Sequence, residues 1–233
     1  MSQLESGKSS APVTIEDRLR GAIWGQFVGD AAALGTHWIY DLAELGRQFP
    51  SGVNGFERPQ KGHYHFPRQP GDETHYGDGA LVLLESIAER GRFEVMHFGR
   101  KFVEMFQLGV YPGYVDQATR ETLENYSRFV ERNPGAQFNF QDGGDDDQLA
   151  TASRLASLVV RHRGDRDLLS LVESATRACQ NNSRAVAYMK FNALLLRERS
   201  SWIARHSAGV ARPPTQCRAH LHGCREDPAR RGR

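Results

Sequence analysis

Three short segments concentrate oxygen, imidazole and indole side chains at spacings that allow chemistry. Gly29-Asp30 is followed by Thr36-His37-Trp38-Ile39-Tyr40-Asp41. Gly71-Asp72-Glu73-Thr74-His75-Tyr76-Gly77-Asp78 forms the second, and Gly143-Gly144-Asp145-Asp146-Asp147-Gln148 the third, with Gln180-Asn181-Asn182 further along. In the second segment Asp72 and Glu73 are adjacent carboxylates beside the Thr74 hydroxyl, a set of hard oxygen ligands suited to Mg2+ or Ca2+. Such an ion can polarise a leaving group and activate water. Without a metal, the same run is an ordinary capped helix start with solvated charge. That second reading is stronger for Asp145–Asp147, whose spacing is not that of an EF-hand. His37 and Trp38 stand where the first helix should end. They are either a buried imidazole satisfied by a carbonyl or a pocket wall whose indole stacks on a ligand ring. His63 and His65 flank Tyr64, a weak metal signal without further ligands.

The elements that must position these groups read as helices. Thr14 is an N-cap with Asp17 three residues on, close to a capping box. Leu19, Ile23 and Phe27 then recur every fourth residue, and so do Gly21, Gly25 and Gly29. A glycine row of this kind leaves a side-chain-free strip that another backbone or a ligand can approach. From Phe49 to Thr74 the chain is rich in Gly, Pro and His and keeps no period, so it reads as a long ordered loop of the kind that is usually functional. Apolar periodicity resumes at about Gly79 and stops at Gly91, a C′ glycine. Further helices are expected over 94–109, over 114–133 (ended by Asn133-Pro134), over 145–164, over 165–182 and over 183–202. No strand alternation is present, so the expected fold is all-α, a compact bundle of about seven helices.

Hydrophobic residues make up 39% and charged residues 25% of the 233, the range of a soluble globular protein. The formal net charge is +2, but nine Arg against three acids fall between residues 197 and 233, so the body is net acidic. The basic balance belongs to the tail and gives no reason to make nucleic acid the partner of the body. Three cysteines do not form a disulfide framework, which points to a reducing, cytoplasmic setting. No apolar run reaches the length of a membrane span. The expected organisation is a disordered lead-in over 1–13, a helical domain over 14–198 and a basic, disordered tail over 199–233.

These motifs, taken together and in order, resemble the ADP-ribosylglycohydrolases over roughly residues 15 to 198. GAIWGQFVGDAAALG resembles that family's opening helix. ALVLLESIAERGRF resembles the helix after its Thr-Asp-Asp-Thr metal motif, and DGGDDDQLATASRLASLVVRHRGDRDLLSLVESATRACQNN its central helical pair. THWIYD and THYGD are similar to the branch that includes the J-crystallins, lens proteins related to these enzymes. The resemblance implies an all-α fold, a cleft for ADP-ribose or an ADP-ribosylated acceptor, Mg2+, and hydrolysis of an ADP-ribosyl bond. It implies Asp72 and Glu73 as catalytic and, with Thr74, as metal ligands. It places Gly29, Asp30, His37, Trp38, His75 and Tyr76 around the substrate, with Asp147, Gln148, Asn181 and Asn182 adding polar contacts. The metal motif can be laid either on Gly71-Asp72-Glu73-Thr74 or on Thr74-His75-Tyr76-Gly77, and only the first keeps the carboxylates. The family's C-terminal Asp-x-Asp-Thr has no counterpart, so the expectation is a shortened chain with a non-catalytic, crystallin-like or ADP-ribose-binding alternative.

Overall fold

The computed structural model of the chain describes residues 13–206, all of them helix, turn or loop apart from one isolated bridge between Gly144 and Gln180. The helices are α1 (Ile15–Ala33), α2 (Leu42–Gln48), α3 (His75–Arg90), α4 (Val95–Met105), α5 (Gln117–Arg132), α6 (Leu155–His162), α7 (Leu168–Arg177) and α8 (Ser183–His206). A 3-10 turn over Ala150–Arg154 leads into α6. The all-α expectation holds.

Local signals account for most boundaries. The Thr14 hydroxyl accepts from Asp17 N–H at 3.1 Å while the Asp17 carboxylate accepts from Thr14 N–H at 2.9 Å, a complete capping box. Asp116 caps α5 by accepting from Thr119 N–H at 2.8 Å. Gly91 ends α3 in the left-handed region at φ 69°.

Four boundaries differ from expectation. α2 was not anticipated, because its seven residues bury no side chain and offer no periodic stripe. α3 begins at His75, a turn earlier than the apolar run indicates, because Thr74 caps it and its first turns pack through Gly77 and Gly79. The helix expected over 145–164 survives only from Leu155, since the groups at 144–148 bond sideways to other elements. α8 runs to His206, past the boundary drawn at residue 199. Residues 1–12 and 207–233 lie outside the described residues, and with them most of the lead-in and tail.

α3 lies at the centre, packed on α1, α4, α6 and the 3-10 turn, while α8 packs on α7, α6 and α1. Phe98, Phe102 and Phe106 of the α4 segment lock against Val82, Leu83 and Ile87 of α3 and against Leu155, Leu158 and Met189. Burying each such side chain contributes about 1.5–3 kcal/mol. α1 packs on α3, which brings its last turn to the amino end of α3.

Candidate active site at the amino end of α3

Asp30 lies in the last turn of α1 and reaches across to the start of α3. Its Oδ2 accepts from Thr74 N–H at 2.6 Å and its Oδ1 from the Thr74 hydroxyl at 2.7 Å. The Thr74 hydroxyl oxygen in turn accepts from Tyr76 N–H at 3.1 Å. Two segments 44 residues apart are therefore joined by charge-assisted hydrogen bonds at a helix amino end, where a carboxylate is favoured.

Glu73 is held beside Asp30. A β-carbon at position 77 would collide with Glu73 Oε2 and Asp30 Oδ2, so glycine there is what lets both carboxyls sit over the helix start. Glu73 Oε2 is buried and receives no protein donor. Burial, then the adjacent Asp30 carboxyl, then Asp78, push the Glu73 carboxyl up to about 8. Asp72, by contrast, is exposed and accepts from Gln69 N–H at 2.7 Å.

Next to this pair stands a cluster of rings. Trp38, at φ 63°, stacks on His65 at 5.7 Å and meets Tyr64 and Tyr114 edge-on at 5.0 and 5.1 Å. His37 lies 4.2 Å from Trp38 and 5.7 Å from Tyr76, and His75 lies 3.9 Å from Tyr76, all between ring centroids. His63 Nε2–H donates to the His37 carbonyl at 2.8 Å, and its Nδ1 accepts from His65 N–H at 3.1 Å, which fixes its tautomer. Burial, then the neighbouring His75, lowers His37 to about 4. Burial, then His75 and His37, lowers His65 to about 3. Both are neutral imidazoles at physiological pH. His75 Nε2 sits 3.5 Å from Asp116 Oδ2, a contact too long for a good hydrogen bond. Burial acts to raise Asp116, but the His75 contact and the Thr119 hydroxyl and amide outweigh it and hold the carboxyl at about 2.

The residues expected to form one site thus fall in two places. Asp30, Glu73, Thr74, His37, Trp38, His75 and Tyr76 come together, with Gly29 exposed on α1 beside Asp30. Asp147, Gln148, Asn181 and Asn182 gather at the start of α8. Asp147 pairs with Arg184 at 2.5 Å, and Asn181 Oδ1 accepts from Arg177 at 2.6 Å. Asn182 caps α8 through Arg184 N–H and donates to Asp145. Asn181 and Asn182 line an open, polar cavity of about 920 Å3 with Glu121, Asn125 and Asp145. Gln180, wholly buried, ties the segment over 146–151 to the end of α7. Its amide N–H groups donate to the Asp146 and Gln148 carbonyls at 2.8 and 2.7 Å, and its Oε1 accepts from Thr151. Burial first, then the Asp116 charge, raises the Tyr76 phenol, and Asp146 adds to the rise. Tyr114 and Asp116 were not anticipated as site residues, and Gln180 was flagged only alongside Asn181 and Asn182. Asp116 carried only a helix-cap signal, and Tyr114 none.

Comparison with known proteins places the chain. The family model for ADP-ribosylglycohydrolase matches residues 11–222. The chain belongs to the ADP-ribosylglycohydrolase family. Among similar proteins, Crystallin J1A of Tripedalia cystophora is 27% identical over 192 residues, covering 78% of this chain and 58% of the crystallin. Crystallin J1B of the same animal is 28% identical over 196 residues, with the same coverage of each. A solved structure titled ADP-ribosylglycohydrolase-related protein complex superposes with a TM-score of 0.58 at 27% identity, covering 80% of this chain and 57% of that one. This ADP-ribosylglycohydrolase chain therefore spans somewhat more than half the length of these relatives.

The oxygen chemistry of the site fits a hard divalent ion in part. Glu73 offers a buried oxygen that no protein donor engages, and Asp30 and Thr74 add oxygens beside it. Among the described residues, however, no three His, Cys, Asp or Glu side chains converge on one point. Protein ligands supply one side of a coordination sphere, and water or substrate would supply the rest.

Proposed function

We propose that this chain binds an ADP-ribosyl group between the Asp30–Glu73 pair and the Trp38–His65–His75 ring cluster, and that hydrolysis of the ADP-ribosyl bond is its reaction type. The observation that carries this reading is the carboxyl pair that Thr74 and Gly77 fix beside stacked rings. Trp38 and Tyr76 offer faces to a base or ribose, and neutral His37 and His65 can accept or donate hydrogen bonds without repelling a cation. Glu73, titrating near working pH, is suited to take a proton from attacking water and return it to the leaving group. Asp30 keeps that carboxyl oriented. Mg2+ held by Glu73, Asp30 and Thr74 would supply charge stabilisation at the ribose as the bond breaks. Asp72 would join the ligands only if it let go of Gln69. The setting we propose is cytoplasmic; among the described residues no helix is long and apolar enough to cross a membrane.

A second reading, a non-catalytic ADP-ribose binder, is favoured by the likeness to crystallins. Calorimetry with ADP-ribose, with and without Mg2+, separates the two. Metal-dependent binding lost in Glu73→Gln supports the enzyme, and metal-independent binding lost in Trp38→Ala supports the binder. Absence of binding under both conditions refutes the proposed site.

A further inference from the structure

Imidazoles gather beside the carboxyl pair, and most of their nitrogens are left without partners. The His65 ring centroid lies 5.5 Å from that of His37, 5.7 Å from that of His75 and 5.4 Å from that of His63. Both ring nitrogens of His65, both of His75 and Nε2 of His37 are buried and engage no protein group. His65 and His75 are each only 2% exposed. Buried side-chain nitrogens are nearly always hydrogen-bonded, so this many open ones in one cluster call for a common partner. His63 differs. Its Nε2–H goes to the His37 carbonyl and its Nδ1 accepts from the His65 N–H, which leaves it nothing to offer.

The chemistry of the open atoms narrows the partner. A ring nitrogen that carries no proton is a ligand for a borderline divalent ion, and three histidines with a fourth position open make a common zinc site. Two imidazoles on one tetrahedral ion, with metal–nitrogen bonds of about 2.1 Å, set their ring centroids roughly 5 Å apart. The His37–His65 and His65–His75 separations stand close to that value. With the rings as they stand, no three His, Cys, Asp or Glu side chains among the described residues meet at one point. A half-turn about Cβ–Cγ exchanges ring nitrogens for ring carbons within the same volume, and no side-chain hydrogen bond of His65 opposes it. Behind His75, Asp116 Oδ2 lies 3.5 Å from Nε2. A metal-bound histidine commonly gives its second N–H to a carboxylate in this way, which leaves Nδ1 of His75 for the ion.

We propose that His37, His65 and His75 form a binding site for a divalent ion of the zinc class, with Asp116 orienting His75 from behind. The site is built of nitrogen, whereas Glu73, Asp30 and Thr74 offer the oxygens that suit Mg2+. The inference stands on ring spacing and unpartnered nitrogens and does not depend on the ADP-ribose reading.

Co2+ is the probe, because in a tetrahedral site it gives a visible absorption band that silent Zn2+ erases by displacement. It is titrated into the full chain, free of any affinity tag and carrying Cys217→Ser and Cys224→Ser, so that those two thiols take no part. One Co2+ per chain is expected, displaced by Zn2+ and not by excess Mg2+. His65→Gln and His75→Gln should each weaken binding at least about tenfold, and Asp116→Asn, which keeps a capping side chain for α5, about tenfold. His97→Gln, on α4, and Glu73→Gln should leave it unchanged. Circular dichroism checks that each variant keeps its helices, and His37→Gln, at a half-buried position, repeats the test should the buried variants lose them. No Co2+ bound, binding indifferent to these histidines, or binding lost in Glu73→Gln each overturns the proposal, and the last places the ion at the carboxyl pair instead.

Discussion

Substituting Glu73 by Gln should remove most of the pH dependence of stability between pH 6.5 and 8. Glu73 has an ordinary value of 4.5 and stands at about 8 in the folded protein. Between those values the folded chain keeps a proton that the unfolded chain releases, so stability falls as pH rises. His37 and His65 work the other way. Their ordinary value is 6.5 and the fold lowers them to about 4 and about 3, so their contribution is full above pH 6.5 and fades as pH falls below it. The effects oppose each other below pH 6.5, and above it only Glu73 remains of the three. Across 1.5 pH units an unscreened Glu73 would lose about 2 kcal/mol, and partial solvent exposure reduces this to about 1 kcal/mol. Urea denaturation followed by circular dichroism at pH 6.5 and pH 8 measures it. With a slope of about 2 kcal/mol per molar urea, the wild-type midpoint should drop by about 0.5 M, and that of Glu73→Gln should hardly move. Equal drops in the two proteins would show that Glu73 does not carry the proton, and the paired-carboxyl argument would fail.

Asp30→Ala removes both acceptors of Thr74 and should lower stability by about 2–4 kcal/mol, read as a fall in melting temperature, with ADP-ribose binding lost as well. Gln180→Leu strands the buried Asp146 carbonyl and Thr151 hydroxyl and frees the Gln148 carbonyl, costing about 2–4 kcal/mol in chemical denaturation. Phe98→Ala opens a cavity in the centre of the core and should cost about 3–5 kcal/mol by the same measurement, with less loss if the site collapses. Mg2+ titrated calorimetrically against wild type should bind more tightly at pH 8 than at pH 6.5, because the ion competes with the Glu73 proton; equal affinity at both values argues against Glu73 as a ligand.

Much of the scaffold could be read from neighbouring residues, because its determinants are local. Thr14 and Asp17 announce α1 through a contact three residues long, and Asn133-Pro134 closes α5. Reading failed where long-range partners decide. Asp145–Asp147 has the composition of a helix start, but Glu121 takes Asp145 N–H and Gln180 takes the Asp146 and Gln148 carbonyls, so the backbone there is committed to other elements. For the site, residue type alone flagged Asp30, Glu73, His37 and Trp38. Their grouping rests on the Asp30–Thr74 contact, which no spacing rule reveals. Asp147 and Asn182 carry equally suitable groups, yet Arg184 and Asp145 occupy them. Tyr114 escaped notice because a single tyrosine in a loop carries no pattern.

Trp38 occupies left-handed backbone, a conformation that costs a bulky L-residue roughly 1–2 kcal/mol and glycine almost nothing. The turn after α1 is thus held in shape by what its indole touches rather than by its own torsional preference. Its conformation and the filling of the imidazole stack are a single property: trimming His65 would let residue 38 relax and swing the ring away, even though nothing at position 38 had been altered.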